Sequence, residues 1–153
     1  MNQLVDGEWR TDAYETTNEE GSFERQETTF RDRVGEGGRF PAEDGRYHLY
    51  VSLACPWAHR TLIARSLKGL EGAISVSVVD PFRAEDGWQF SPEKEGCTED
   101  RVHGSEYLRE LYVKADPNVT ARVTVPVLWD TAEDTVVNNE SKEILRMLDT
   151  EFD

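Results

Sequence analysis

Of 153 residues, 31 are acidic and 17 basic, a formal net charge of −14 on a chain about one domain long. This acidity, with a mean hydropathy of −0.66, excludes nucleic-acid binding by phosphate neutralisation and opposes docking on an anionic membrane. No apolar run approaches the ~20 residues of a membrane span, and Met1-Asn2-Gln3-Leu4 opens no signal peptide, so a cytoplasmic protein is expected.

Residues 1–45 show no sustained periodicity and are expected to form a largely irregular extension, with Trp9, Phe23, Phe30 and Phe40 as isolated anchors. Gly35-Glu36-Gly37-Gly38 breaks the chain, and residues 41–45 read as a turn. An ordered domain is expected over 46–153. Residues 47–52 are β-prone and short, which predicts a strand. From 57 to 68 the apolar residues Ala58, Leu62, Ile63 and Leu67 recur at helical spacing, and Gly69 is a natural stop. Residues 73–79 alternate and then run apolar, a second strand parallel to the first, which completes a βαβ unit. A polar loop carrying Trp88 and Phe90 follows over about 81–104. Tyr107, Leu108, Leu111 and Tyr112 then mark a short helix ended by Asp116-Pro117. Residues 125–129 and 135–137 read as two strands joined by a turn, and Asn139 is expected to cap a last helix with Ile144, Leu145 and Leu148 on one face. The order βαβ, helix, ββα is that of a thioredoxin-like α/β domain, a mixed four-stranded sheet flanked by helices.

Cys55-Pro56-Trp57-Ala58 falls where the first strand meets the first helix. A sulfur at a helix N-terminus meets unpaired amide N–H groups and the positive end of the dipole, which favour a thiolate. Pro56 fits the first helical turn because its missing N–H costs nothing there. His59 and Arg60 add positive potential if they point inward. The alternative is a buried structural cysteine ahead of a helix. Ala58 stands where a dithiol motif has its second cysteine, so any redox chemistry here is monothiol. Cys97 lies in a polar loop between Glu95 and Glu99, acidic neighbours that disfavour a thiolate. Two cysteines make no disulfide framework, and with His48, His59 and His103 they match no zinc spacing, so no metal is expected. Thr124-Val125-Pro126 precedes a strand; a cis Pro126 would turn the Val125 backbone toward the sulfur. Asn139-Glu140-Ser141 opens the last helix, where amide donors suit an anion and Glu140 suits an ammonium group, with ordinary capping as the alternative.

The blocks 52–60, 87–90, 107–112, 122–130 and 137–141, in that order, closely resemble the glutathionyl-hydroquinone reductases, the Xi class of glutathione transferases and relatives of the Omega class. The likeness runs from about Phe40 to Phe152, and the Phe23 and Arg25-Gln26 run is similar to that family's N-terminal extension. The resemblance implies that Cys55 is the nucleophile that attacks the thioether sulfur of an aromatic conjugate, releases a hydroquinone and holds the thiol as a mixed disulfide. It also implies that Trp88 packs along glutathione, that Arg122 meets a ligand carboxylate, and that Val125 pairs with the peptide backbone beside a cis Pro126. Glu140 and Ser141 would then hold the γ-glutamyl amine and carboxylate. Members of this family continue into a helical C-terminal domain that supplies the aromatic pocket and the homodimer contacts, and this sequence stops at Asp153. Two other readings use the same residues: a glutaredoxin-like deglutathionylase or dehydroascorbate reductase, and a non-catalytic thioredoxin-fold module that only binds thiols.

Only Lys68, Lys94, Lys114 and Lys142 are lysines, and many carboxylates with little lysine is the composition of a protein adapted to molar salt. Salt-loving archaea of such composition characteristically use γ-glutamylcysteine, which is then the alternative thiol to glutathione. In ~1 M salt the Debye length shrinks to about 3 Å and self-repulsion is screened. The midpoint of thermal unfolding is therefore expected to rise as KCl goes from low to molar concentration. A midpoint that is flat or falls with salt would remove the salt-adapted reading.

Overall fold

β-Branched and aromatic residues over 47–51 and 74–78 build two neighbouring strands, and only a crossover can join them in parallel. The computed structural model describes residues 3–10, 30–35, 38–82 and 85–152. Along them run β1 (Gln3–Val5), β2 (Glu8–Arg10), β3 (Tyr47–Val51), α1 (Pro56–Leu67), β4 (Ile74–Val78), α2 (Arg109–Ala115), β5 (Val127–Asp130), β6 (Thr135–Asn138) and α3 (Ser141–Thr150). The main sheet has the order β4-β3-β5-β6; β3 and β4 are parallel, while β5 and β6 are antiparallel to their neighbours. This is the expected thioredoxin-like arrangement. Phe23, Arg25, Gln26, Glu36 and Gly37 lie outside the described residues.

All five residues of β3 are buried. One side presents Tyr47, Leu49 and Val51 to the core that includes Ala58, Ile144 and Leu148; burying each such large side chain is worth roughly 1.5–3 kcal/mol. The other side carries His48 and Tyr50, which need polar partners. His48 has Ser75 Oγ 2.5 Å from Nδ1 and Ser77 Oγ 2.7 Å from Nε2. Tyr50 donates to Asp100 Oδ1 at 2.8 Å. At the edge of the core, Arg46 grips the fully buried Asp130 with two hydrogen bonds of 2.8 Å. Burial opposes the Asp130 carboxylate, but the guanidinium and the Ala132 amide prevail and hold its pKa below the ordinary value.

The apolar stripe of α1 is not the side it buries, whereas α3 buries Ile144 and Leu148 as expected. In α1 the buried residues are Ala58 and Thr61, while Ile63 is 47% and Leu67 82% exposed. Thr61 is tolerated inside because its hydroxyl donates to Ala58 O at 2.6 Å. In α3 the buried set is Ile144, Met147 and Leu148, with Leu145 only half-buried. Its N-cap is Glu140, not Asn139, and the Glu140 carboxylate accepts from the Lys142 amide at 3.3 Å. Asn139 is engaged elsewhere.

The N-terminal stretch holds a hairpin that hydrophobic periodicity did not reveal. Asp6 (φ 49°) and Gly7 (φ 81°) form its two-residue turn, and Asp-Gly is a strong local signal for it. Gly7 is required twice over, since a Cβ there would lie 1.8 Å from Pro117 O. Leu4 exchanges backbone hydrogen bonds of 2.9 and 3.0 Å with Ala121, and Trp9 donates to Glu85 O at 3.0 Å. Phe40 is buried, and Trp9 and Phe30 pack against the core. Among the described residues no helix is long and apolar enough to cross a membrane.

Burial pushes the His48 pKa down to about 4, with Asp100 pulling upward and Arg101, Arg65 and His103 adding to the depression. Unfolded, a histidine titrates near 6.5, so between about 6.5 and 4 the unfolded chain binds the extra proton. Stability is thus expected to fall as pH drops through that window, by up to about 3 kcal/mol at 1.36 kcal/mol per unit. Thermal unfolding of His48→Gln against pH should lose most of that slope; an unchanged slope would assign it to other groups.

Candidate active site

Beyond β3 the chain turns sharply. Ser52, fully buried, accepts the Ala54 amide on its hydroxyl at 3.1 Å and the Cys55 amide on its carbonyl at 3.3 Å. Cys55 is thereby the N-cap of α1 (φ −97°, ψ 114°), and its carbonyl accepts from His59 at 2.9 Å. Pro56 opens the helix, and no side chain caps it. The first amides of α1 therefore point into the space beside the sulfur, with the positive end of the helix behind them. Cys55 is half-buried and its Sγ lies 4.0 Å from Val125 O. His59 and Arg60 do not point inward: both are exposed, and the Arg60 guanidinium stacks 4.4 Å from the centre of the Trp57 ring.

The Val125-Pro126 peptide is cis, and the Val125 carbonyl is the group that meets the Cys55 sulfur. Asn139, one residue before Glu140, is tied to Thr124, one residue before Val125, by a residue that sequence reasoning placed only on a helix face. The Tyr112 hydroxyl, on fully buried Tyr112 of α2, donates to Thr124 O at 2.9 Å and accepts from the Thr124 amide at 3.1 Å. It also accepts from Asn139 Nδ2 at 2.9 Å. Burial pushes the Tyr112 pKa up, so the hydroxyl keeps its proton to donate. Asn139 exchanges two further bonds with Phe30: its amide donates to Phe30 O at 3.0 Å, and its Oδ1 accepts from the Phe30 amide at 3.2 Å. Just beyond, Glu143 receives Arg31 at 2.7 and 2.5 Å, and this pair draws its pKa down to about 2. A Tyr on the apolar face of a short helix carries no sequence mark of this role.

Trp88 and Arg122 are held by other contacts. Trp88 is 8% exposed, and its carbonyl accepts from the Leu108 amide at 2.9 Å. The neighbouring Gly87 (φ 76°) lies flat under Trp9, where an added Cβ would be 3.0 Å from the ring. Arg109 ties the same loop down, bonding Asp86 at 3.0 Å and stacking on Trp9 and Tyr107 at 5.0 and 4.4 Å. Arg122 is half-buried next to Ala121, the residue that pairs with Leu4. One hairpin thus braces both segments.

Cys97 is half-buried, with Sγ 3.7 Å from Val79 O. Burial, then the Asp80 carboxylate, pushes its pKa up. The expected direction holds, but the cause is desolvation and Asp80 rather than Glu95 and Glu99. Among the described residues no three His, Cys, Asp or Glu side chains are grouped so as to hold a metal ion.

Comparison with known proteins places this geometry. Residues 54–151 match the family described as glutathione S-transferase, N-terminal domain. Glutathionyl-hydroquinone reductase YqjG of Escherichia coli is 52% identical over 162 residues, covering all of this chain and 49% of that protein. Glutathionyl-hydroquinone reductase PcpF of Sphingobium chlorophenolicum is 48% identical, covering all of this chain and 48% of its own. Among solved structures, the Xi class GST from Natrialba magadii superposes with a TM-score of 0.90 at 72% identity, over all of this chain and 46% of the other. The glutathione-bound structure of Escherichia coli YqjG gives 0.84 at 48% identity, over 97% of this chain and 45% of that one. The chain therefore spans about half the length of the curated relatives it matches.

The two thiols are expected to react unequally. Brief iodoacetamide treatment near neutral pH, read by peptide mass spectrometry, should label Cys55 ahead of Cys97, because burial and a facing carboxylate hold the Cys97 thiol protonated. Faster labelling of Cys97 would contradict this assignment.

Proposed function

The chain belongs to the glutathione S-transferase family, and on that premise we propose that it is a monothiol transferase domain of the glutathionyl-hydroquinone reductase type. The observation that carries the reading is the single sulfur of Cys55 at the start of α1, 4.0 Å from Val125 O beside the cis Pro126 peptide, with Ala58 where a second cysteine would resolve a disulfide internally. A thiol peptide laid antiparallel to the Val125 backbone puts its own sulfur against Cys55. Glu140 and Ser141 at the start of α3 receive the γ-glutamyl amine and carboxylate, Arg122 a carboxylate, and Trp88 packs along the peptide. Glutathione is the co-substrate of this reading, with γ-glutamylcysteine as a shorter one.

In the reaction, the Cys55 thiolate attacks the sulfur of an aromatic glutathione thioether. The sulfur–sulfur bond forms as the carbon–sulfur bond breaks, the ring carbon keeps the electron pair and takes a proton, and the hydroquinone leaves. The thiol pair has been oxidised and the aromatic reduced. A second glutathione thiolate then attacks the glutathione sulfur of the mixed disulfide, which releases glutathione disulfide and restores Cys55 as its thiolate.

The aromatic group needs a further surface. We assign it to a helical C-terminal domain, or to a second copy in a homodimer, packed on α1 and α3. Ile63 and Leu67 are exposed there, and a groove of about 430 Å³ between the helices is lined by Ala64, Leu67 and Leu145 among others. On this reading residues 46–153 are the thiol-binding domain and 1–45 an extension that braces it.

Exchange with glutathione disulfide tests the thiol half without any aromatic pocket. Wild-type chain should gain one glutathione on Cys55, displacing one glutathione. Cys55→Ser should slow this by at least about 10³-fold, whereas Cys97→Ser keeps most of it. Equal loss in both variants would establish a two-cysteine mechanism and overturn the monothiol scheme.

A further inference from the structure

We propose that the Tyr112 hydroxyl is a positioning residue for thiol binding, locking the Val125 backbone and the start of α3 into one rigid site; the inference rests on the function proposed above. A phenol has one proton to give and two lone pairs to fill. Here all three are used: the proton goes to Thr124 O, and the lone pairs take the Thr124 amide and Asn139 Nδ2. The Asn139 amide cannot be turned around, because its Oδ1 already receives the Phe30 amide. Both partners sit one residue ahead of a proposed thiol contact. Thr124 is followed by Val125, and Asn139 by Glu140 and then Ser141.

The two segments have no such tie through the sheet itself. Thr124 precedes β5, and Asn139 lies past the end of β6, where the ladder between those strands has ended. Tyr112 reaches them from α2, a third element, with its ring edge-on to Phe30 at 5.6 Å between centroids. A saturated buried hydroxyl has one geometry, so the spacing between the Val125 backbone and the α3 amides is fixed before the ligand arrives. A ligand that must touch both then spends no binding energy in ordering them.

Tyr112→Phe keeps the ring and removes all three bonds. The expected result is glutathione binding weakened roughly tenfold by titration, while iodoacetamide reacts with Cys55 at the wild-type rate. In the unliganded variant, amide resonances of Val125, Glu140 and Ser141 should move together. Measurements are made where circular dichroism shows the variant folded, so loss of stability alone would leave the dissociation constant unchanged. Should Tyr112→Phe not fold, Asn139→Ala cuts the same tie at its other end and carries the same expectation. Wild-type affinity in the folded variant would overturn the positioning role and leave the proposed function intact. Wild-type chain that binds neither glutathione nor γ-glutamylcysteine would overturn both.

Discussion

Strand β3 has no side that faces water, and most of the molecule follows from that. Its backbone is paired on both edges and its five side chains are buried, so the chain leaving it must emerge at one end of the sheet. It does so through Ser52, whose hydroxyl and carbonyl gather the next amides into the turn that makes Cys55 an N-cap. The Cys55 sulfur is thus placed by a fully buried strand. A loop of the same sequence on an edge strand would have no such anchor.

Burying both sides of β3 has a second consequence. A strand with His48 and Tyr50 inside obliges its neighbours to answer them, and Ser75, Ser77 and Asp100 do. The loop after β4 is therefore not merely draped over the sheet. Asp100 gathers the amides of Val102, His103 and Ser105 around the Tyr50 hydroxyl. The same economy recurs at Tyr112, where one hydroxyl serves two segments distant in sequence. In both places an aromatic ring supplies packing and its hydroxyl ties loops to the sheet.

The N-terminal hairpin adds bracing from outside the four-stranded sheet. Leu4 pairs with Ala121, and Trp9 presses on Gly87 and Arg109, so the stretches that carry Arg122 and Trp88 are both backed by residues 3–10. Phe30 and Arg31 perform the matching service at the start of α3. An acidic chain with a modest apolar fraction gains ordered backbone this way, by pairing the extension to the domain rather than by enlarging the core.

Local chemistry settled a good deal in advance. Strand and helix periods gave the βαβ, helix, ββα order, because a period of two or of 3.6 is a property of the chain itself. Cys55-Pro56 at a strand-to-helix junction and Ala58 at the second-cysteine position are equally local, and the structure keeps both. Which side of α1 is buried was not local. Packing of α1 against α3 and β3 covers Thr61, whose hydroxyl is then satisfied by Ala58 O, while Ile63 and Leu67 stay exposed. The cause of the Cys97 shift needed the fold to bring Asp80 up to the thiol, and the cap of α3 passed to Glu140 because Phe30 and Tyr112 claimed Asn139. The sequence by itself determined the elements, their order and the placement of Cys55 at a helix start. Only the tertiary structure decided which polar groups, more than ten residues apart in the chain, share a hydrogen bond, because that depends on distances that no local period encodes.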